Sequence, residues 1–152
     1  MVLARSWQMK KTLVSGAPTK DHYELVSEEL GKPKDGEIIT KSVFITVDPY
    51  LRGVMSSLPV GSKIPSGQVA EVIESRDEDF PVGTTVLSRR GWCDYAKLNP
   101  KQAKKSGQGG IEKAPNIGTL SPSLLLGACG MPGVTAYWGF IDLCKVVCMS
   151  LK

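Results

Sequence analysis

Two short segments of the sequence carry residue types that could perform chemistry on a small ligand. The first runs from Val47 to Arg52, where the phenol of Tyr50 follows an Asp–Pro pair. Asp can cap the start of a helix and Pro is tolerated in its first turn, so we predict a short helical turn that ends at Gly53. A phenol beside a rigid proline can donate a hydrogen bond to an oxygen that gains negative charge in a reaction.

Tyr50 and Arg52 also have plain structural interpretations. Tyr50 could fill one end of a domain with its hydroxyl group in solvent. Arg52 could steer a substrate that carries a carboxylate, or it could pair with Asp48 and hold the turn. We assign Arg52 no catalytic role.

The second segment begins at Gly130. Its candidate ligand-binding residues are Met131, Pro132, Gly133, Thr135 and Tyr137. Two glycines flank the proline, so the backbone can bend and approach a flat ring closely. Thr135 and the amides at a helix start can bind a carboxamide. The alternative is an ordinary helix start whose apolar side chains belong to a core, and both interpretations can hold together.

Metal and phosphate sites are not expected. The one histidine, His22, is far in sequence from the four cysteines, and structural zinc needs closely spaced ligands. The glycines at 107, 109 and 110 lie in a polar loop that precedes any strand–helix unit, so we interpret them as a linker. Phosphates of a dinucleotide are held where a strand, a glycine-rich turn and a helix start meet. Such contacts are expected beyond Lys152.

Alternating polar and apolar residues predict six strands, and these should form a small barrel or sandwich. The predicted strands are residues 6–14, 22–30, 37–47, 68–74, 84–88 and 92–98. The strand at 37–47 is expected to be covered on both faces, and residues 99–113 to form a loop with a mobile tip. Two helices are predicted at 123–128 and 134–145, the first of them started by Ser121 and Pro122.

The composition excludes several classes of protein. The 152 residues are 41% hydrophobic and 22% charged, which suits one folded domain with an added fragment. The net charge of +4 is scattered, unlike the clustered charge of a nucleic-acid binder. Signal-peptide and membrane-spanning patterns are missing. The cysteines form no CxxC pair, so we predict free thiols and a cytoplasmic location.

The two segments together resemble the prostaglandin reductase 1 (leukotriene B4 12-hydroxydehydrogenase) family. The matching strings are Val47-Asp48-Pro49-Tyr50-Leu51-Arg52 and Gly130-Met131-Pro132-Gly133-Val134-Thr135-Ala136-Tyr137-Trp138-Gly139. The resemblance implies a mainly β, GroES-like barrel domain with short helices at 1–117. It also implies the first helices of a truncated Rossmann-type domain at 118–152. Gly67 and Gln68 stand where zinc-dependent relatives have metal ligands, which fits the zinc-independent branch of the medium-chain dehydrogenase/reductase superfamily.

The resemblance implies NADPH-dependent reduction of α,β-unsaturated carbonyls, including 15-oxoprostaglandins and alkenals, and oxidation of leukotriene B4. Tyr50 would be the catalytic donor in the substrate pocket. Residues 131–137 would pack against the nicotinamide end of NADPH. The chain alone is expected to be inactive, because the phosphate contacts are missing. The alternative is a non-catalytic, truncated β module that associates with a full-length enzyme; the apolar helix near the C-terminus could also form a homo-oligomer.

Overall fold

The computed structural model describes residues 1–105 and 110–146. These residues form two compact units, Met1–Pro115 and Asn116–Lys152. The division lies close to the boundary that the sequence analysis places after residue 117. The mainly β character predicted from the sequence is confirmed, since the described residues contain seven strands and only short helices.

A two-stranded antiparallel sheet opens the first unit. It contains β1 (Val2–Met9) and β2 (Tyr23–Leu30). The other edge of β1 contacts two loops through isolated bridges, Ser6 with Cys93 and Gln8 with Lys63. The amide of Trp7 donates to the Trp92 carbonyl at 2.8 Å, so the loop that contains Trp92 is attached to this sheet.

The second sheet has five strands in the order β6-β3-β4-β5-β7, each antiparallel to its neighbours. The strands are β3 (Ile38–Ile45), β4 (Gln68–Ser75), β5 (Thr85–Ser88), β6 (Tyr95–Leu98) and β7 (Glu112–Lys113). In the described residues the ladders remain two sheets and do not close into one barrel. The reason is that β1 contacts its second set of neighbours at single bridges rather than along a continuous strand.

A small apolar cluster holds the helix that follows Tyr50. This helix, α1 (Leu51–Met55), buries Leu51 and Met55 against Met9 and Ile64. Each such side chain stabilises the fold by roughly 1.5–3 kcal/mol on burial. Burial of these two side chains therefore anchors the helix in the domain. Tyr50, which immediately precedes the helix, can remain at the surface.

The predictions for β3 and for residues 99–113 are wrong in part. The second half of β3 is not covered on both faces, because Val43 and Ile45 are 52% and 43% exposed. Residues 99–113 are not all loop, since they contain α2 (Pro100–Lys105) and β7. The side chain of Asn99 accepts the Gln102 amide at 3.0 Å, so Asn99 and Pro100 form a helix start within this polar stretch. The predicted mobile tip lies outside the described residues.

The second unit begins with a 3-10 turn, Pro122–Leu126, in which the Ser121 hydroxyl accepts the Ser123 amide. This confirms the predicted start at Ser121. The next helix, α3 (Met131–Tyr137), starts three residues earlier than predicted and continues as a π-helical turn, Trp138–Leu143. None of the helices in the described ranges is both long and apolar enough to cross a membrane.

The cysteines of the described residues agree with the predicted free thiols. Cys93, Cys129 and Cys144 are unpaired, and only Cys93 among them is buried. The fourth cysteine, at position 148, lies outside the described residues.

Candidate functional site

The turn that carries Tyr50 is built by backbone hydrogen bonds. Tyr50 occupies the position before α1, with φ −63° and ψ −22°. The carbonyl group of Asp48 accepts the Leu51 amide at 3.0 Å, whereas no side chain caps the helix. The predicted side-chain cap by Asp48 is therefore wrong. The predicted end at Gly53 is also wrong, because the helix continues to Met55.

The phenol of Tyr50 lies partly in solvent, and charges of both signs act on it. Tyr50 is 51% exposed. Partial burial raises its pKa first, the negative charge of Asp48 and a hydrogen bond to Asp48 raise it further, and the positive charge of Arg89 lowers it. The net direction is upward from the ordinary value of 10.0, so the phenol keeps its proton at neutral pH. Tyr50 can therefore act as a hydrogen-bond donor, to Asp48 and, when that hydrogen bond is released, to a ligand oxygen.

Arg52 is held by a different residue from the one predicted. Its Nε donates to the carbonyl oxygen of Gly16 at 2.9 Å. The pairing with Asp48 that we considered is replaced by this contact. Ion pairs among the described residues join Arg5 to Asp94, Lys63 to Glu28 and Lys101 to Asp79.

Hydrogen bonds fix the end of β3 immediately before the Tyr50 turn. The hydroxyl group of Ser66 donates to the Thr46 carbonyl at 2.7 Å, and the indole Nε1 of Trp92 donates to the same oxygen at 3.0 Å. The Gly91 amide donates to the Ser66 carbonyl at 3.4 Å. Ser66 thus joins the chain before Tyr50 to the loop after β5. Nothing in the sequence alone indicated this link.

Gln68 lies at the centre of the same framework and is fully buried. Its Nε2 donates to the carbonyl oxygens of Gly91 and Cys93, and its Oε1 accepts the Ser88 hydroxyl at 3.1 Å. The carboxamide is therefore used entirely inside the protein. Within residues 1–105 and 110–146, no group of three or more His, Cys, Asp or Glu residues could hold a metal ion. The absence of zinc stays a prediction.

Replacing Gln68 by Glu should destabilise the protein in a pH-dependent way. A buried carboxylate would face two carbonyl oxygens, so the folded-state pKa of Glu would lie above its unfolded value of about 4.3. The loss of stability should therefore grow as pH rises, reaching about 3 kcal/mol or more near pH 7. Urea unfolding at about pH 4 and about pH 7 measures it. Gln68→Met is the control, and equal losses for Gln68→Glu at both pH values would contradict this account.

The glycines of the second segment have a structural requirement that the sequence analysis missed. A Cβ atom at Gly133 would collide with the carbonyl group of Ala128, and one at Gly130 with that of Leu125. Both contacts lie within the second unit, between the start of α3 and the chain before it. Close packing of the chain on itself therefore explains these glycines without a bound ring.

Fewer donors are free at the start of α3 than predicted. The Gly133 amide donates to the Gly127 carbonyl at 3.1 Å, and the Thr135 hydroxyl donates to the Met131 carbonyl at 2.8 Å. Pro132 has no amide hydrogen. Thr135 can therefore accept a hydrogen bond from a carboxamide, but its proton is already used. Met131 and Tyr137 are exposed.

The first unit also has an open groove of about 420 Å³. None of the predicted site residues lines it. Its lining residues are Arg5, Trp7, Leu25, Ser42, Val43, Phe44, Ile45, Trp92, Cys93 and Asp94.

Comparison with known proteins shows the class to which this fold belongs. Residues 5–106 match the family model described as the N-terminal domain of oxidoreductase. The chain therefore belongs to this family of the medium-chain dehydrogenase/reductase superfamily, and its first unit has the GroES-like fold.

Particular relatives narrow the class. The chain is 42% identical over 146 residues to prostaglandin reductase 1 of Bos taurus, a match that covers 96% of this chain and 42% of the relative. It is 33% identical to the NADPH-dependent curcumin reductase of Escherichia coli, over 84% of this chain and 36% of the relative. The crystal structure of CurA in complex with NADPH from Vibrio vulnificus is 34% identical, with a TM-score of 0.75 over 93% of this chain and 41% of that one. The chain thus spans about two-fifths of the length of these relatives.

Proposed function

We propose that this chain supplies the substrate-side domain of an NADPH-dependent reductase of α,β-unsaturated carbonyl compounds. The substrates would be enones and eicosanoids such as 15-oxoprostaglandins, together with alkenals. The observation that carries the proposal is the Tyr50 turn, which presents a protonated phenol at the surface on a helix anchored by Leu51 and Met55. The names of the bovine and bacterial relatives agree with this activity.

Tyr50 would donate its hydrogen bond to the carbonyl oxygen of the substrate. NADPH, when bound, would supply the hydride for the β-carbon, and negative charge would then develop on that oxygen. A positioned donor is worth most where charge develops. The hydrogen bonds among Thr46, Ser66 and Trp92 would keep the turn in place while the phenol donates to the substrate oxygen.

Residues 131–137 are proposed to bind the nicotinamide end of NADPH. The fit is partial: Thr135 Oγ1 can accept from the carboxamide, and the exposed Met131 and Tyr137 can pack against a flat ring. We also propose that the reaction needs no zinc, that the protein acts in lipid metabolism and that it is located in the cytoplasm. In support of the first, the Gln68 carboxamide is committed to three internal partners.

The test joins this chain to the nucleotide-binding domain of bovine prostaglandin reductase 1 and follows NADPH fluorescence. An α,β-unsaturated ketone should cause oxidation of NADPH, and the corresponding saturated ketone should not. The chain alone should show no saturable binding of NADPH at micromolar concentration, near −8 kcal/mol. Oxidation with the saturated ketone, or none with either, would contradict the proposal.

The alternative function is a non-catalytic, truncated β module that associates with a full-length enzyme through its apolar C-terminal helix. One observation favours it: large apolar side chains of the second unit are exposed. They are Val134, Tyr137, Trp138, Phe140, Ile141, Leu143 and Val146. An exposed patch of this kind is typical of an interface or of an aggregation-prone surface.

We therefore expect the isolated chain to self-associate at low micromolar concentration. Size-exclusion chromatography with light scattering should give a mass above 16.4 kDa. Phe140→Glu should shift the equilibrium towards the monomer, because a charge in a buried apolar contact is costly. Val60→Glu changes an equally exposed apolar residue of the first unit and is the control. A monodisperse monomer would refute the homo-oligomer.

A further inference from the structure

We propose that Arg89 is the residue that recognises the carboxylate of an acidic enone substrate, so that the enzyme discriminates a free acid from its neutral ester. This inference rests on the proposed function and adds a specificity-determining residue to it. The sequence alone suggests Arg52 for this role. The structure favours Arg89 for three reasons. They concern the fixed backbone around Arg89, the availability of its guanidinium group and the connection to the Tyr50 turn.

The first reason is that the chain on both sides of Arg89 is fixed. Ser88, which precedes it, is buried and donates to the Oε1 of Gln68. Gly91, which follows Arg90, accepts from the Nε2 of Gln68 and donates its amide to the Ser66 carbonyl. Two residues between such anchors have little freedom, so the base of the Arg89 side chain is preorganised. Preorganisation lowers the entropic cost of binding.

The second reason is that Arg89 and Arg90 are used differently. Arg90 turns inward: its Nε is buried, and burial lowers the pKa of its guanidinium. Arg89 is exposed, and none of the ion pairs in the described part of the chain includes it. Arg52 is also outside those ion pairs, but its Nε is committed to the Gly16 carbonyl. Arg89 therefore offers a whole guanidinium fork to an anion, which is the geometry that binds a carboxylate through two hydrogen bonds.

The third reason is that hydrogen bonds join the chain immediately after Arg89 to the chain immediately before the Tyr50 turn. Ser66 contacts both segments directly, through the Thr46 carbonyl on one side and the Gly91 amide on the other. Trp92 donates to the same Thr46 oxygen and closes the link. The charge of Arg89 acts on the Tyr50 phenol in agreement with this placement. A substrate whose carbonyl group meets Tyr50 would thus have a cation within its own reach.

The test is binding of a 15-oxoprostaglandin and its methyl ester to the 152-residue chain, followed by NMR shifts of the 89–91 amides. Arg89→Gln should weaken binding of the acid about tenfold, as expected for one charge-assisted hydrogen-bond pair near the surface, and should leave the ester unchanged. High salt should weaken binding of the acid in the same way. The acid and the ester share the enone, so their ratio isolates the carboxylate.

Arg76→Gln is the matched control. Arg76 is an exposed arginine just beyond the far end of β4, about 25 Å from the Gln68 end at about 3.3 Å per residue. The Arg76→Gln substitution removes the same charge and should leave binding of both the acid and the ester unchanged. Equal losses of acid and ester in Arg89→Gln, an acid-selective loss in Arg52→Gln instead, or no saturable binding of the acid would each overturn the proposal. Because the measurement needs no NADPH turnover, a failure of the reductase function would appear separately in the fusion assay.

Discussion

Gly91→Ala is expected to destabilise the protein by more than about 3 kcal/mol. Gly91 has φ +79°, a conformation that costs a residue with a Cβ atom roughly 1–2 kcal/mol. The added Cβ would also collide with the Ile64 carbonyl oxygen, and the Ile64 carbonyl carbon would lie 3.2 Å away. That oxygen accepts the Trp92 amide, so any relief of the collision breaks a backbone hydrogen bond. Urea unfolding followed by tryptophan fluorescence measures the loss.

Gly83→Ala provides the matched comparison for this glycine. Gly83 has φ +87°, and nothing lies within 4 Å of its hypothetical Cβ. Its cost should therefore be the conformational part alone, about 1–2 kcal/mol. The difference between the two variants isolates the close approach of two chain segments beneath the Tyr50 turn. Equal losses would show that the loop after β5 is free to move, and the anchoring of Arg89 would then fail as well.

Tyr50→Phe should reduce turnover of an enone by about two to three orders of magnitude in the protein joined to a nucleotide-binding domain, as for one lost oxyanion donor. The hydroxyl contributes little to the core, because Tyr50 is half exposed and the helix is anchored by other residues. Stability should hence remain nearly unchanged. A donor that acts mainly in the transition state lowers kcat and kcat/KM together while NADPH affinity stays constant.

Tyr95→Phe is a suitable control for the tyrosine hydroxyl. Tyr95 starts β6 and packs against the cluster of Ala4, Leu30 and Ile39, away from the helix after Tyr50. The Tyr95→Phe substitution should leave turnover of the enone unchanged. Steady-state kinetics with both variants would decide the role of Tyr50. An unchanged kcat in Tyr50→Phe would mean that the phenol only packs.

The sequence by itself determined the class of fold and the elements with strong local signals. Alternating patterns over 22–30, 68–74 and 84–88 agree closely with β2, β4 and β5. Ser121 and Pro122 start the 3-10 turn, because capping and proline preference are local effects. The two motif strings were enough to indicate the family. Each of these signals is written in neighbouring residues, so no knowledge of distant contacts is needed.

Local signals failed where two interpretations of the same residues compete. An Asn–Pro helix start was hidden in a polar stretch at 99–105, and β3 was expected to be buried throughout although Val43 and Ile45 are exposed. The pattern of β3 shows that its residues are apolar. It does not show whether a second layer reaches them, since that depends on where β1 and β2 end.

Only the tertiary structure decided how the candidate site is held. Trp92 is separated by 46 residues from its partner Thr46. Gln68 is separated by 20 residues from Ser88 and by 23 from Gly91. Arg52 binds Gly16 across 36 residues rather than Asp48 within its own turn. The chain after Arg89 is joined to the chain before Tyr50 for the same reason. Such contacts depend on the pairing of strands that are far apart in the chain, and the packing of the whole domain selects them because buried polar groups must find partners.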